Sequence, residues 1–183
     1  MRTIGKAEVS TNRIRLDRKK MELKGGNPAE LLAELQSLPG VATLNTQDFR
    51  RGGIKVKLAI LGAAAALYDA GLEPSDRLGL TGWGTDGSRT ENLLYFQDYM
   101  EHGRCGGRGQ LFVGTLPTTP LCEAAIALGL HGPAYYLDTE GREDLLRRDL
   151  HLSLSDPALD GILLFAPDGE TLTVSVVTEC EFC

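Results

Sequence analysis

Stretches in which apolar and polar positions alternate are interleaved along this chain with longer runs whose apolar residues recur around a helix. Alternation predicts a first strand over residues 7–14, followed by a basic run over residues 13–24. Asn27-Pro28-Ala29-Glu30 then carries helix-start signals: Asn27 can cap, Pro28 suits the first helical position, and Glu30 can reach back to a free amide. That helix is expected to run to about Leu38 and to stop at Pro39-Gly40. Ile54–Ala70 predicts a second helix closed by Gly71. Apart from Lys55 and Lys57 it is apolar on every side, so it should lie between layers, with Gly62 and the alanines after it allowing close approach. Residues 77–83 predict a strand opening into a glycine-rich turn over residues 84–88.

Further along, residues 101–109 are rich in glycine and arginine and predict an exposed loop. A loop with two prolines over residues 115–120 leads into an apolar helix over residues 121–128. Gly129-Leu130-His131-Gly132-Pro133 then introduces a short strand, Ala134–Leu137. Residues 143–152 predict a helix with Leu145, Leu146 and Leu150 on one face. Residues 161–166 and 171–177 predict two strands, and Asp168-Gly169 between them is a hairpin signal. Helices alternating with strands and closing on a hairpin predict an α/β domain, a mixed β-sheet flanked by α-helices.

Composition narrows the function classes. At 183 residues, residues 1–183 are expected to form a single domain with a sizeable core. A net charge of -6 argues against a nucleic-acid partner, because phosphate binding needs a basic surface. No apolar run reaches the roughly 18 residues of a membrane span, and the first residues lack the apolar core of a secretory leader. Four scattered cysteines do not suggest a disulfide framework in a chain this long. The expectation is a cytoplasmic protein with reduced thiols and no cofactor.

The order of motifs from Lys55 to Leu137 resembles the amino-terminal half of the β-ketoacyl synthases, condensing enzymes of the thiolase-like superfamily. The resemblance rests chiefly on Thr115-Leu116-Pro117, the buried helix after it, the Gly132-Pro133 turn and the strand Ala134-Tyr135-Tyr136-Leu137. It implies a thiolase-like half domain. In that family the strand delivers a nucleophilic cysteine about eight residues past the proline, at a sharp strand-to-helix turn. Here that position falls on Gly141. The second half of such enzymes, which carries two further catalytic groups, has no room in this chain.

Each candidate chemical group has a plain structural reading beside it. Cys122, in the first turn of its helix, is placed where the helix dipole favours a thiolate, yet a small residue on an apolar helix is commonly core packing. Cys122 or Cys105 could act as a relocated acyl-transfer nucleophile, with His131 as the base that follows the buried helix. His102 with Cys105, and Cys180 with Cys183, have spacings suited to zinc, although nothing in the sequence brings the two pairs together. Gly82, Gly84 and Gly87 fit a turn better than a phosphate cradle. Asp138, Glu140, Glu143 and Asp144 suit the start of a helix as well as they suit a cation. The basic run could dock an acidic carrier protein or simply form a solvated strand edge.

The resemblance therefore implies a ketosynthase-like protein without the condensing nucleophile. Its role would be that of a non-catalytic acyl-chain-binding or partner subunit in fatty-acid or polyketide-type synthesis. The alternatives are an acyltransferase with a relocated cysteine and a structural module that self-associates. Thr115, Leu116, Pro117, Thr118, Thr119 and Cys122 are the expected ligand or partner contacts. A half-fold should expose an apolar layer, so a homodimer or a heterodimer with a ketosynthase is expected, with acyl carrier protein as a further partner.

Overall fold

A computed structural model describes residues 1–47, 49–85, 87–103 and 108–179. Among them, seven strands form one mixed sheet. The strands are β1 (Arg2–Val9), β2 (Arg13–Leu16), β3 (Met21–Lys24), β4 (Leu78–Trp83), β5 (Ala134–Leu137), β6 (Gly161–Asp168) and β7 (Thr171–Thr178). Their order across the sheet is β3-β2-β1-β7-β6-β4-β5. The first three form an antiparallel meander, and β6 and β7 form an antiparallel hairpin that joins it. β4 runs parallel to both β5 and β6. The helices are α1 (Pro28–Ser37), α2 (Ile54–Ala70), α3 (Arg89–His102), α4 (Gly109–Gly114), α5 (Thr119–Leu128) and α6 (Glu143–Leu154).

The expected α/β architecture is present, and local chemistry explains its best-defined parts. Asn27 Oδ1 accepts the amides of Ala29 and Glu30, and Glu30 Oε2 accepts the Gly26 amide at 2.7 Å, which closes the start of α1 reciprocally. α2 ends at Gly71 in the left-handed conformation. It is buried almost throughout, lying on β1 and β7 with α5 beside it. The contact is tight enough that a Cβ on Gly62 would sit 2.5 Å from Val174 Cγ2.

α6 alone covers the opposite face, packing Leu146, Leu150 and Leu154 on Ile162 and Val177. Leu145, expected on that apolar face, is only half-buried. Beyond α6 no apolar layer covers this face among the described residues. Strand alternation sets Lys6, Glu8, Arg13 and Arg15 there, away from the core positions Ala7, Val9, Ile14 and Leu16. Glu8 pairs with Lys6 and Arg15, and Glu22 pairs with Arg13 and Lys24. This corrects the reason given for self-association: the uncovered sheet face is a ladder of paired charges. The basic run lies on β2, β3 and the turn between them, with its charged side chains exposed.

Five further expectations are corrected. The strand over residues 7–14 is two strands, because Ser10 turns the chain and its amide donates to the Arg13 carbonyl. β3 lies inside the basic run. Residues 89–102 and 109–114 are helical, although no element was expected there. α5 begins at Thr119 rather than at residue 121, with Pro120 in its first turn, and it is not buried all round, since Cys122 and Ile126 face solvent. The hairpin turn itself is Gly169-Glu170, because Asp168 pairs with Thr171.

Candidate functional site

The loop leaving β4 returns through α5 on one face of the sheet, and the loop leaving β5 returns through α6 on the other. Crevices outside the carboxyl ends of parallel strands form at such switch points. A cleft of about 930 Å³ opens there. Its apolar walls come from the start of α2 (Ile54, Leu58), the start of α5 (Leu121), β6 (Phe165) and β7 (Leu172). Thr11, Lys55, Thr85, Asp168, Glu170 and Thr171 supply its polar lining.

Tyr136 shapes the floor. Its ring passes over Gly82, its partner in the β4–β5 register, so that a Cβ there would lie 2.7 Å from Tyr136 Cδ2 and 3.1 Å from Leu121 Cδ1. A Cβ on Gly84 would come within 2.8 Å of the Tyr136 hydroxyl, which accepts the Gly87 amide. The glycines of this loop therefore make room for a tyrosine and need no phosphate to explain them. Lys55 Nζ is held by Glu91 Oε2 at 2.8 Å and by the Gly87 carbonyl, which fixes a cation at the cleft's edge. The Trp83 indole N–H donates to Thr139 Oγ1 at 2.8 Å and ties β4 to the loop before α6.

Of the expected contact residues, Pro117 lines the cleft, together with the neighbouring Pro120 and Leu121. Thr115, Leu116, Thr118, Thr119 and Cys122 do not. Thr115 and Thr119 turn their hydroxyls onto the carbonyls of Phe112 and Val113, Leu116 is half-exposed, and Cys122 lies on the outer side of α5. His131 follows the far end of that helix, with Nδ1 2.7 Å from Asp76 Oδ1. At 1.5 Å per residue the axial offset between Cys122 and the helix end at Gly129 is about 10 Å. The structure does not bring this thiol and imidazole together.

Cys105, Cys180 and Cys183 lie outside the described residues, so the zinc expectation stays there with them. His102 approaches the buried Asp98 within its own helix. Among the described residues no three metal-ligating side chains gather, and Glu143 and Asp144 occupy the first turn of α6. Gly141, where the resemblance sets the nucleophile, does line the cleft, at φ +80°. Among the described residues the cleft lining contains no cysteine, serine or histidine. The sequence could not reveal the contributions of Thr11, Phe165 and the β6–β7 tip, because they come from distant parts of the chain.

Comparison with solved structures matches this fold. An ishigamide ketosynthase/chain length factor superposes with a TM-score of 0.62 over 99% of this chain at 14% identity. A ketosynthase (ApeO) in complex with its chain length factor (ApeC) from Xenorhabdus doucetiae gives 0.56 over 96% at 11% identity. The chain has the thiolase-like ketosynthase fold. It spans 62% of the length of the first matched chain and 78% of the second. No protein-family model and no curated protein sequence matches it. Among the described residues no helix is long and apolar enough to cross a membrane.

Proposed function

We propose that this chain is a non-catalytic, ketosynthase-like subunit that holds an acyl chain in the cleft and works beside a ketosynthase in polyketide- or fatty-acid-type synthesis. The observation that carries this reading is Gly141. The position that the resemblance assigns to the nucleophile faces the cleft without a side chain, while the apolar walls around it are kept. Fold neighbours named as ketosynthases with chain length factors support the partner role. The cleft's volume lies within the range of small-molecule sites. An acyl carrier protein is the expected source of the chain.

Trp83, the single tryptophan, lines the cleft and reports its occupancy by fluorescence. Acyl thioesters of increasing length should bind more tightly, by up to about fourfold per added methylene, until the cleft is full. In the same samples the intact mass should stay unchanged. Absence of binding at every length removes the acyl role. Stoichiometric acylation of Cys122 replaces this reading with that of an acyltransferase.

A further inference from the structure

One cross-strand row closes the inner end of the cleft. Gly82 on β4 lies opposite Phe165 on β6 and Tyr136 on β5, so an aromatic side chain stands on either side of a glycine. Alternation along the strands turns all three positions toward α2 and α5. The next row inward, Leu163, Leu80 and Ala134, belongs to the closed core, where Leu163 and Leu80 are fully buried. Tyr136 therefore stands on the boundary between core and cleft. Its ring fills the place that a side chain on Gly82 would take, since a Cβ there would lie 2.7 Å from Tyr136 Cδ2. Gly84 leaves room at the other end of the ring, where its Cβ would lie 2.8 Å from the hydroxyl. That hydroxyl accepts the Gly87 amide at 3.2 Å, which anchors the ring across both glycines. Phe165 is buried within the core, whereas Tyr136 is only half-buried. Behind Tyr136 on the same face of its own strand, Ala134 presents only a methyl group.

We propose that Tyr136 is the stop that limits how long an acyl chain the cleft accepts. The inference rests on the acyl-binding reading of the cleft and assigns its length limit to one side chain. A chain entering past Lys55 runs between apolar walls until it reaches the row of Gly82, where the tyrosine ring bars further entry. Advance beyond that row requires the ring to leave its place over Gly82 and to give up the Gly87 amide. A single added methylene, worth about fourfold in affinity, does not offset a lost hydrogen bond together with displacement of a packed ring. A smaller apolar side chain at this position frees the space above Gly82, and that space leads on toward Ala134. Methylenes beyond the wild-type limit can then be buried.

Isothermal titration calorimetry of the full chain with saturated acyl thioesters of four to sixteen carbons tests this. Wild type should bind about fourfold more tightly with each methylene up to a limiting length and gain nothing beyond it. Tyr136→Leu should raise that limit by about two methylenes or more. A chain two methylenes past the wild-type limit should then bind the variant roughly tenfold more tightly than it binds wild type. Tyr136→Phe keeps the ring and should keep the limit. Chains short of the limit should bind all three proteins within about twofold, which a general disturbance of the cleft would not allow. On wild type itself, the terminal methyl of the longest tightly bound chain should give nuclear Overhauser contacts to the Tyr136 ring, a result that needs no variant to fold. A limit unmoved in Tyr136→Leu overturns the proposal, as does a limit that moves equally in Tyr136→Phe, or a terminal methyl remote from Tyr136. Each of those failures leaves the acyl-binding reading standing, whereas absence of binding at every length overturns that reading and this inference with it.

Discussion

Asp69 is a carboxylate buried to 2% exposure near the end of α2, and it should govern the stability of the whole amino-terminal meander. Its Oδ2 accepts the amides of Lys6 at 2.9 Å and Arg18 at 3.0 Å, and its Oδ1 accepts the amide of Lys19 at 2.8 Å. One side chain thus ties α2 to β1 and to the turn after β2. Hydrogen bonds to a charged acceptor contribute about 1.5–3 kcal/mol each. Asp69→Ala removes all three, but the amides of the exposed turn residues Arg18 and Lys19 can regain water. The expected loss is therefore about 3–4 kcal/mol, well short of the sum. For a chain of this size that lowers Tm by about 10 °C. Asp69→Asn can keep its oxygen toward Lys6 and Arg18 while turning an NH₂ group against the Lys19 amide, and should cost roughly half as much. Calorimetric melts of the three proteins measure the order wild type, Asn, Ala. An alanine variant within about 1 kcal/mol of wild type would refute the reasoning, since water would then replace the carboxylate at every amide. Equal losses for Asn and Ala would refute the two-bond orientation.

Three other consequences are open to measurement. Gly82→Ala should force the Tyr136 ring and Leu121 aside, costing about 1–3 kcal/mol in thermal melts and weakening ligand binding reported by Trp83, because both displaced side chains line the cleft. Asn27→Ala should cost about 1 kcal/mol, a Tm decrease of 2–4 °C, through loss of the α1 cap. Tyr135 is held above its ordinary value of 10.0, first by burial and then by its hydrogen bond to Asp149. Its folded state therefore keeps the proton longer than the unfolded chain does. The stability this contributes is complete below pH 10 and is lost as pH rises through the folded value. Chemical denaturation between pH 9 and 11.5 should show a steeper alkaline decline for wild type than for Tyr135→Phe, and equal slopes would count against it.

Legibility in this sequence followed the direction in which apolar residues point. α2 could be read to its last residue because it is buried on nearly every side and ends at a left-handed glycine, so pattern and stop signal coincide. α1 and the β6–β7 hairpin were legible for the same reason, since the residue that makes each boundary acts on its own neighbours. α3 was not. Its Leu-Leu-Tyr-Phe run resembles a protease-cleavage tag, and its exposed apolar residues turn away from the core. With Asp98 as its one buried residue, α3 shows no apolar face that the rest of the chain requires. The meander was half-read because Ser10 and Asn12 turn the chain without glycine or proline, so two strands scan as one.

The same distinction explains the cleft. Gly82, Tyr136 and Leu121 meet because β4 and β5 pair in one register and α5 starts above them, an outcome of topology that spacing along the chain does not encode. The motif at residues 115–117 points to the correct corner of the fold, yet only Pro117 of those three reaches the lining. What motif order could supply was an address, and Gly141 shows its value. A glycine at φ +80° is unremarkable as a turn residue and acquires meaning only because β5 delivers it to an apolar cleft whose described lining holds no cysteine, serine or histidine. Beside the apolar walls and the fixed Lys55, that glycine makes binding without acylation the outcome that tests the proposed acyl role.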